Sequence, residues 1–218
     1  VLSQTAFVCL EVGANTETLT VTDVNGNVST CTTVVTVEDN VAPVALCQDV
    51  TVQLDASGNG STTASAVDNG SNDACGIASL VLSQTAFVCS EVGANTEILT
   101  LTDVNGNVST CTTVVTVQDN VAPNAICQNI TVQLDGLGNA SIFPAQVNNG
   151  STDACGIASL SLDITTFNCA NVNGNTVTLT VVDVNGNSST CTATVSILDS
   201  IPPTALCQNV TVQLDAAG

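Results

Sequence analysis

Apolar and polar residues alternate along this chain with a period of two: Val50, Val52 and Leu54 are separated by Thr51 and Gln53, and Leu99 and Leu101 by Thr100. Side chains two apart share one face of a strand, so the pattern predicts β-strands with one buried face, and the abundance of Val and Thr suits a pleated surface. Over residues 41–120 strands are expected near 44–54, 61–67, 78–83, 86–89, 96–102 and 108–118. Turn-forming runs separate them at 55–60, at 68–76 and at Asp103-Val104-Asn105-Gly106-Asn107.

The same pattern returns 80 residues later: Cys9, Cys89 and Cys169 form one series, Cys31, Cys111 and Cys191 a second, Cys47, Cys127 and Cys207 a third, and Cys75 and Cys155 a fourth. Residues 1–40 and 81–120 differ at four positions. Internal repetition at this period implies one structural unit per repeat. Apolar alternation breaks before Pro43 and Pro123 and at Pro202-Pro203, in the runs starting at Asp39, Asp119 and Asp199, which places boundaries there. The expected organisation is the C-terminal half of a repeat at 1–40, complete repeats at 41–120 and 121–200, and the first strand of another at 201–218, within a longer polypeptide. An all-β unit of this size with closely spaced turns suits a small immunoglobulin- or fibronectin-III-like β-sandwich, and a tandem array of them suits an elongated rod. Phe7, Phe87 and Phe167 are expected as core aromatics.

Charge narrows the partners. The chain has 19 Asp plus Glu and no Lys, Arg or His. Phosphate backbones and anionic lipid surfaces are captured chiefly by Lys and Arg, which disfavours nucleic acid and direct membrane insertion. Charged residues are only 9% of the chain and hydrophobic residues 44%, so a core can form. Without His, Lys or a tuned Cys most nucleophilic and acid–base chemistries have no agent, and without Trp or Tyr the usual sugar-stacking platforms are missing. A carboxylate pair for glycoside hydrolysis is the one enzymatic option left, and near-identical repeats would have to duplicate it. No enzyme activity is expected.

Eleven Cys without His or any Cys-x-x-Cys spacing point to disulfides in an oxidising, extracellular setting. If the first and last strands of a repeat run parallel as neighbours, Cys47 and Cys111 stand at one end of the sandwich, and Cys127 and Cys191 likewise. A Cys31–Cys47 bridge across the boundary is rejected, because extended strands set those atoms tens of ångströms apart. Elimination then pairs Cys75 with Cys89 and Cys155 with Cys169, and leaves Cys9, Cys31 and Cys207 unpaired.

The acidic residues recur in register. Strand alternation can gather Asp39, Asp68, Asp73 and the Asp103–Asn105 turn at one end of a repeat, with Asp119, Asp153, Asp183 and Asn185 as the next set. Oxygen-only ligands with no cation nearby favour Ca2+, which would lock the angle between repeats. The alternative for Asp103–Asn107 is a plain hairpin turn, in which Asp caps the backbone and Gly supplies a positive φ. Asn27, Asn59, Asn107 and Asn187 lie in glycosylation sequons.

Taken together, the Asp-Asn-x-x-Pro boundary, Asp-Ala-Cys-Gly-Ile at 73–77, Thr-Asp-Val-Asn-Gly-Asn at 102–107, Ser-Thr-Cys at 109–111 and Cys-Gln-Asn-Val-Thr-Val-Gln-Leu-Asp at 207–215 resemble HYR-type immunoglobulin-like repeats. The subtype is similar to those of giant Bacteroidetes surface proteins, such as SprB-like gliding-motility adhesins exported by type IX secretion. The resemblance covers the whole chain, with Asn148 and the Asp163–Thr166 stretch as departures. It implies a segment of a cell-surface adhesive filament whose partners are neighbouring repeats, other copies in a filament, and an extracellular surface or polysaccharide. A repeated polysaccharide- or ligand-binding module, and a spacer for an enzyme domain elsewhere, are the competing readings.

Overall fold

A computed structural model describes all residues, Val1–Gly218, and divides into two compact units, Val1–Val121 and Ala122–Gly218. The fold is all-β. In the first unit β1 (Gly13–Thr22) and β2 (Val28–Val37) form an antiparallel hairpin of their own. The strands β3 (Val50–Gln53), β4 (Asn59–Ser61), β5 (Ile77–Leu82), β6 (Ala86–Val88), β7 (Gly93–Asp103) and β8 (Val108–Gln118) make a sandwich. One layer has the order β3-β8-β7-β5 and the other is β4-β6. The second unit repeats this with β9 (Ile130–Gln133), β10 (Asn139–Ser141), β11 (Ile157–Leu162), β12 (Thr166–Asn168), β13 (Asn173–Asp183) and β14 (Ser188–Leu198), ordered β9-β14-β13-β11 and β10-β12.

The first and last strands of each sandwich are parallel neighbours, with Val50 opposite Val115 and Ile130 opposite Val195. Pairing of this kind, beside antiparallel β7 and β5, is the immunoglobulin-type arrangement. Period-two alternation supplies the core: Val177, Leu179 and Val181 of β13 and Val195 and Ile197 of β14 meet Phe167 of the opposite layer, all in one buried cluster. Phe87 and Phe167 are buried, while Phe7 is half-buried.

Three expectations are corrected. The strand at 61–67 is instead the short β4 followed by a one-turn helix α1 (Ala64–Val67), started by Thr63, whose side chain accepts from Ala66 N. That turn drives Val67 into the core with no exposed surface, and α2 (Pro144–Val147) does the same with Val147. Residues 201–218 form no strand. Their counterparts β3 and β9 are held as strands by pairing with β8 and β14 from the far end of the same repeat.

The third correction concerns the cysteines. Cys47 is bonded to Cys111 and Cys127 to Cys191, with Cα separations of 5.9 and 5.7 Å. Cys75, however, is bonded to Cys9 and not to Cys89, across the boundary set at residue 40. Cys155 is disulfide-bonded while Cys169 is a free thiol, so that pair does not form either. The reason is strand length. Cys75 precedes Ile77, which lies opposite Asp103 at one end of β7; Cys89 precedes Gly93 at the other end, ten residues away. At about 3.3 Å per residue that is roughly 33 Å, far beyond disulfide reach. The distance that rules out Cys31–Cys47 therefore rules out Cys75–Cys89 as well.

Candidate functional site

The site grows from three segments of the first unit. Asp39 follows β2, and its Oδ1 accepts from Val41 N at 3.1 Å, an Asx turn that sets the direction of the chain before Pro43. Asp119 and Asp199 make the same turn, to Val121 at 3.0 Å and Ile201 at 3.1 Å. Asp73 heads the Asp-Ala-Cys-Gly loop; its Oδ1 accepts from Cys75 N at 2.8 Å and Gly76 N at 3.1 Å, and Gly76 takes a φ of +106° that side-chain-bearing residues rarely adopt. The β7–β8 turn is the third segment. Val104 N donates to Gly76 O at 3.1 Å, and Asn107 Nδ2 donates to Asp39 O at 3.0 Å.

These contacts bring the carboxylates of Asp39 and Asp73 together, with ligand atoms of Asp39, Asp73 and Cys75 all within 4.8 Å of one another. Two like charges at such a range repel by on the order of a few kcal/mol at the effective dielectric of a protein surface, and no cationic side chain exists to offset it. Asp39 Oδ2 and Asn105 Oδ1 are moreover buried and accept no hydrogen bond. Oxygen atoms withdrawn from water without a donor are costly unless something else satisfies them. The donor chemistry fits a hard divalent cation: the Asp39 and Asp73 carboxylates supply oxygen ligands of the kind Ca2+ takes, with water filling the rest of its shell. The Cys75 sulfur is no part of such a set, because it is bonded to Cys9 and has no thiolate to offer.

Asp68 and Asp103 each organise a turn. Asp68 Oδ1 accepts from Ser71 N at 3.1 Å, and in the next repeat Asn148 Oδ1 makes the same bond to Ser151 N at 3.0 Å. A neutral amide fills that role equally well, so the position needs an acceptor and not a charge. Asp103 organises its turn: Oδ1 accepts from Asn105 N and Asn107 N at 2.8 Å each, and Oδ2 from Asn107 Nδ2 at 2.8 Å, with Gly106 at φ +94°. Burial pushes the Asp103 carboxyl up, but the donors from Asn107, Asn105 and Gly106 outweigh it and hold the group below the usual carboxylate range. The turn bonds thus occupy Asp103, while Asn105 Oδ1 stays buried without a donor.

In the second unit, Asp153 Oδ2 accepts from Cys155 N at 2.8 Å and Gly156 N at 3.0 Å, and Asp183 organises the turn through Asn185 N and Asn187 N. Asn185 Oδ1 is again buried and accepts nothing. Asp119, in the first unit, is 7% exposed. Sequence reasoning did not find the Asn107 clasp on the Asp39 carbonyl or the Cys9–Cys75 bridge. The one available signal was the Asp-x-Cys spacing, which puts a carboxylate and a sulfur on the same tight loop. Asn107 Nδ2 is committed to Asp39 and Asp103, which leaves that sequon no free amide for a glycan in the folded state.

No protein-family model and no curated protein matches the sequence. Solved structures similar to it include protocadherin gamma C5 EC1-3 (12% identity over 86% of this chain and 78% of that one, TM-score 0.42). Others are protocadherin gamma B7 extracellular cadherin domains 1-4 (14%, 88% and 60%, TM-score 0.36) and human mucin-like protocadherin EC1-2 (13%, 70% and 97%, TM-score 0.35). The chain spans only 60%, 58% and 46% of the first three such structures. Identities and scores this low carry no inference about activity or ligands.

Proposed function

We propose that this chain is a load-bearing segment of an extracellular structural or adhesive protein, in which consecutive sandwiches are coupled by a disulfide and by Ca2+. The observation that carries the reading is the convergence on one loop, Asp73–Gly76, of the Cys9 bridge from the preceding hairpin and the Asp39 carboxylate from the linker. A catalytic site gains nothing from such bracing. A tether does, because tension along the chain must then break a covalent bond and strip a cation before the linker can extend. Disulfides such as Cys9–Cys75, Cys47–Cys111 and Cys127–Cys191 favour an oxidising compartment. No helix is long and apolar enough to cross a membrane. The HYR-type resemblance adds the finer reading: a stalk of 80-residue repeats in a very large cell-surface adhesin, exported by type IX secretion and used for surface attachment and gliding.

Calorimetry with added Ca2+ tests the proposal. A ligand at 100 times its Kd stabilises by about 2.7 kcal/mol, so saturating Ca2+ is expected to raise the Tm, and Asp39→Asn with Asp73→Asn to abolish the rise. Solution scattering of the same samples is expected to show a stiffer particle with Ca2+. Melting and scattering curves indifferent to Ca2+ and to chelator would overturn the cation's part.

A further inference from the structure

Asn is followed directly by Gly seven times along the chain, at Asn25, Asn59, Asn69, Asn105, Asn149, Asn173 and Asn185. In such a pair the Gly backbone nitrogen can attack the preceding side-chain amide carbon, because no Cβ on the Gly obstructs the approach. The fold treats the seven differently. Gly26, Gly106 and Gly186 donate their N–H groups to the carbonyls of Asp23, Asp103 and Asp183, at 3.1, 3.3 and 3.4 Å. Gly60 lies in β4 opposite Phe87 and Gly174 in β13 opposite Ser196, so both are held in strand ladders. Gly70 and Gly150 stand outside every helix and strand, and their N–H groups donate to no other group of the protein. Asn69, Gly70, Asn149 and Gly150 are all exposed, and the space beside both glycines is open. The chain on either side is pinned. Asn69 N donates to Leu46 O at 2.9 Å and Asn72 N to Val44 O at 3.1 Å; Asn149 N donates to Ile126 O at 2.8 Å and Thr152 N to Asn124 O at 3.1 Å. Ser71 N and Ser151 N are taken by Asp68 and Asn148, which leaves the Gly nitrogen as the untethered donor of each loop.

We propose that Asn69 and Asn149 are sites of spontaneous deamidation, one loop position of two successive repeats that solvent converts into a carboxylate. The Gly nitrogen gives its proton to hydroxide and attacks Asn Cγ, forming an N–Cγ bond. The Cγ–Nδ2 bond then breaks, and ammonia leaves with a proton from water, which returns the hydroxide. The five-membered succinimide takes up one water. Opening at Cγ gives aspartate; opening at the backbone carbonyl gives isoaspartate, with one extra methylene in the main chain. The net change is amide plus water to carboxylic acid plus ammonia, with nothing oxidised or reduced. Each product adds a negative charge to the loop that runs on to Asp73 or Asp153, in a chain with no cationic side chain to offset it.

The full, disulfide-bonded chain supplies the test. It is held for days in mildly alkaline buffer without divalent cation, then reduced and digested with pepsin, in acid that stops the reaction. Mass spectrometry reads the acid-to-amide ratio at each of the seven Asn, and labelling by isoaspartyl methyltransferase identifies the isoaspartate. Deamidation at Asn69 and Asn149 is expected to run about fivefold faster than at Asn25, Asn105 and Asn185, the factor that a hydrogen bond of ordinary net strength on the attacking nitrogen represents. Equal rates at the two sets would overturn the proposal. In guanidinium with the disulfides reduced, all seven are expected to converge; a ranking that survives unfolding would place its cause in the local sequence and overturn the proposal too. Asn69→Gln with Asn149→Gln, at exposed side chains, is expected to remove most of the early isoaspartate label. The readout is independent of Ca2+ and of whether the repeats bear load.

Discussion

The side-chain amide of Asn107 donates to the backbone carbonyl of Asp39 at 3.0 Å, across 68 residues of sequence. A β-hairpin tip thereby holds the linker that precedes its own sandwich, and the same amide braces Asp103 Oδ2 at 2.8 Å. Asn27, its counterpart one period earlier, makes the same internal bond, to Asp23 Oδ2 at 2.8 Å.

The clasp is measurable. Asn107→Ala is expected to cost about 1 kcal/mol in thermal stability, the usual net worth of a hydrogen bond, and to weaken Ca2+ binding through the loosened linker. Calorimetry and Ca2+ titration of the variant check it; an unchanged Ca2+ affinity would reduce Asn107 to a turn residue.

The two kinds of bridge separate by phenotype. Replacing Cys47 and Cys111 by Ala opens a bridge spanning 64 residues inside one sandwich and is expected to lower its stability by about 2–4 kcal/mol. Replacing Cys9 and Cys75 by Ser leaves the sandwich core untouched, so the expected loss falls on Ca2+ affinity and on the extension force read by single-molecule pulling. An unchanged affinity would show that the bridge does not position Asp73.

A buried charge can be removed by copying the next repeat. Glu97 is 7% exposed and takes a hydrogen bond from Ser83, yet one period later the same position is Val177, with no exposed surface. The Ser83 position there is Asp163, whose Oδ1 accepts from Thr178 N at 2.8 Å as Ser83 Oγ accepts from Ile98 N. Glu97→Val is expected to stabilise by about 1 kcal/mol, since an apolar side chain has no desolvation penalty to recover. A lowered Tm would show that the Ser83–Glu97 pair outweighs it.

Stability should respond to acid alone. The carboxyls of Asp23, Asp55, Asp103, Asp135, Asp163, Glu11 and Glu91 are all held below the usual range, in the last two cases by Gln4 and Gln84 side chains first and then by backbone N–H groups. A carboxyl depressed in the folded state contributes stability that is present above its unfolded pKa, about 4, and lost as pH falls through the folded value. With no His or Lys to titrate, Tm is expected to be flat from about pH 5.5 to 7.5 and to fall below about pH 4, in enough salt to screen the mutual repulsion of the carboxylates. A slope near neutrality would contradict this.

Much of the architecture was legible because its causes are local. Alternation at Leu99 and Leu101 sets which face is buried, Gly106 and Asp103 set the turn, and the 80-residue register multiplies each assignment. The Ala64–Val67 helix was missed because four residues show no period, and its Thr63 cap reads equally well as a strand residue. The charge of Asp68 is visible in the sequence, whereas the backbone-acceptor role it shares with Asn148 is visible only in the structure.

By itself the sequence determined the repeat, the strand-rich class, the pairing of Cys47 with Cys111 and the absence of any cationic side chain. It determined these because hydrophobic period, turn chemistry and composition act within a few residues or are simple counts. Only the tertiary structure decided that Cys75 meets Cys9, that Asn107 grips the Asp39 carbonyl, and that Asp39 stands against Asp73. Those contacts join segments whose separation depends on how far each strand runs before the chain turns back, a length that local patterning does not encode.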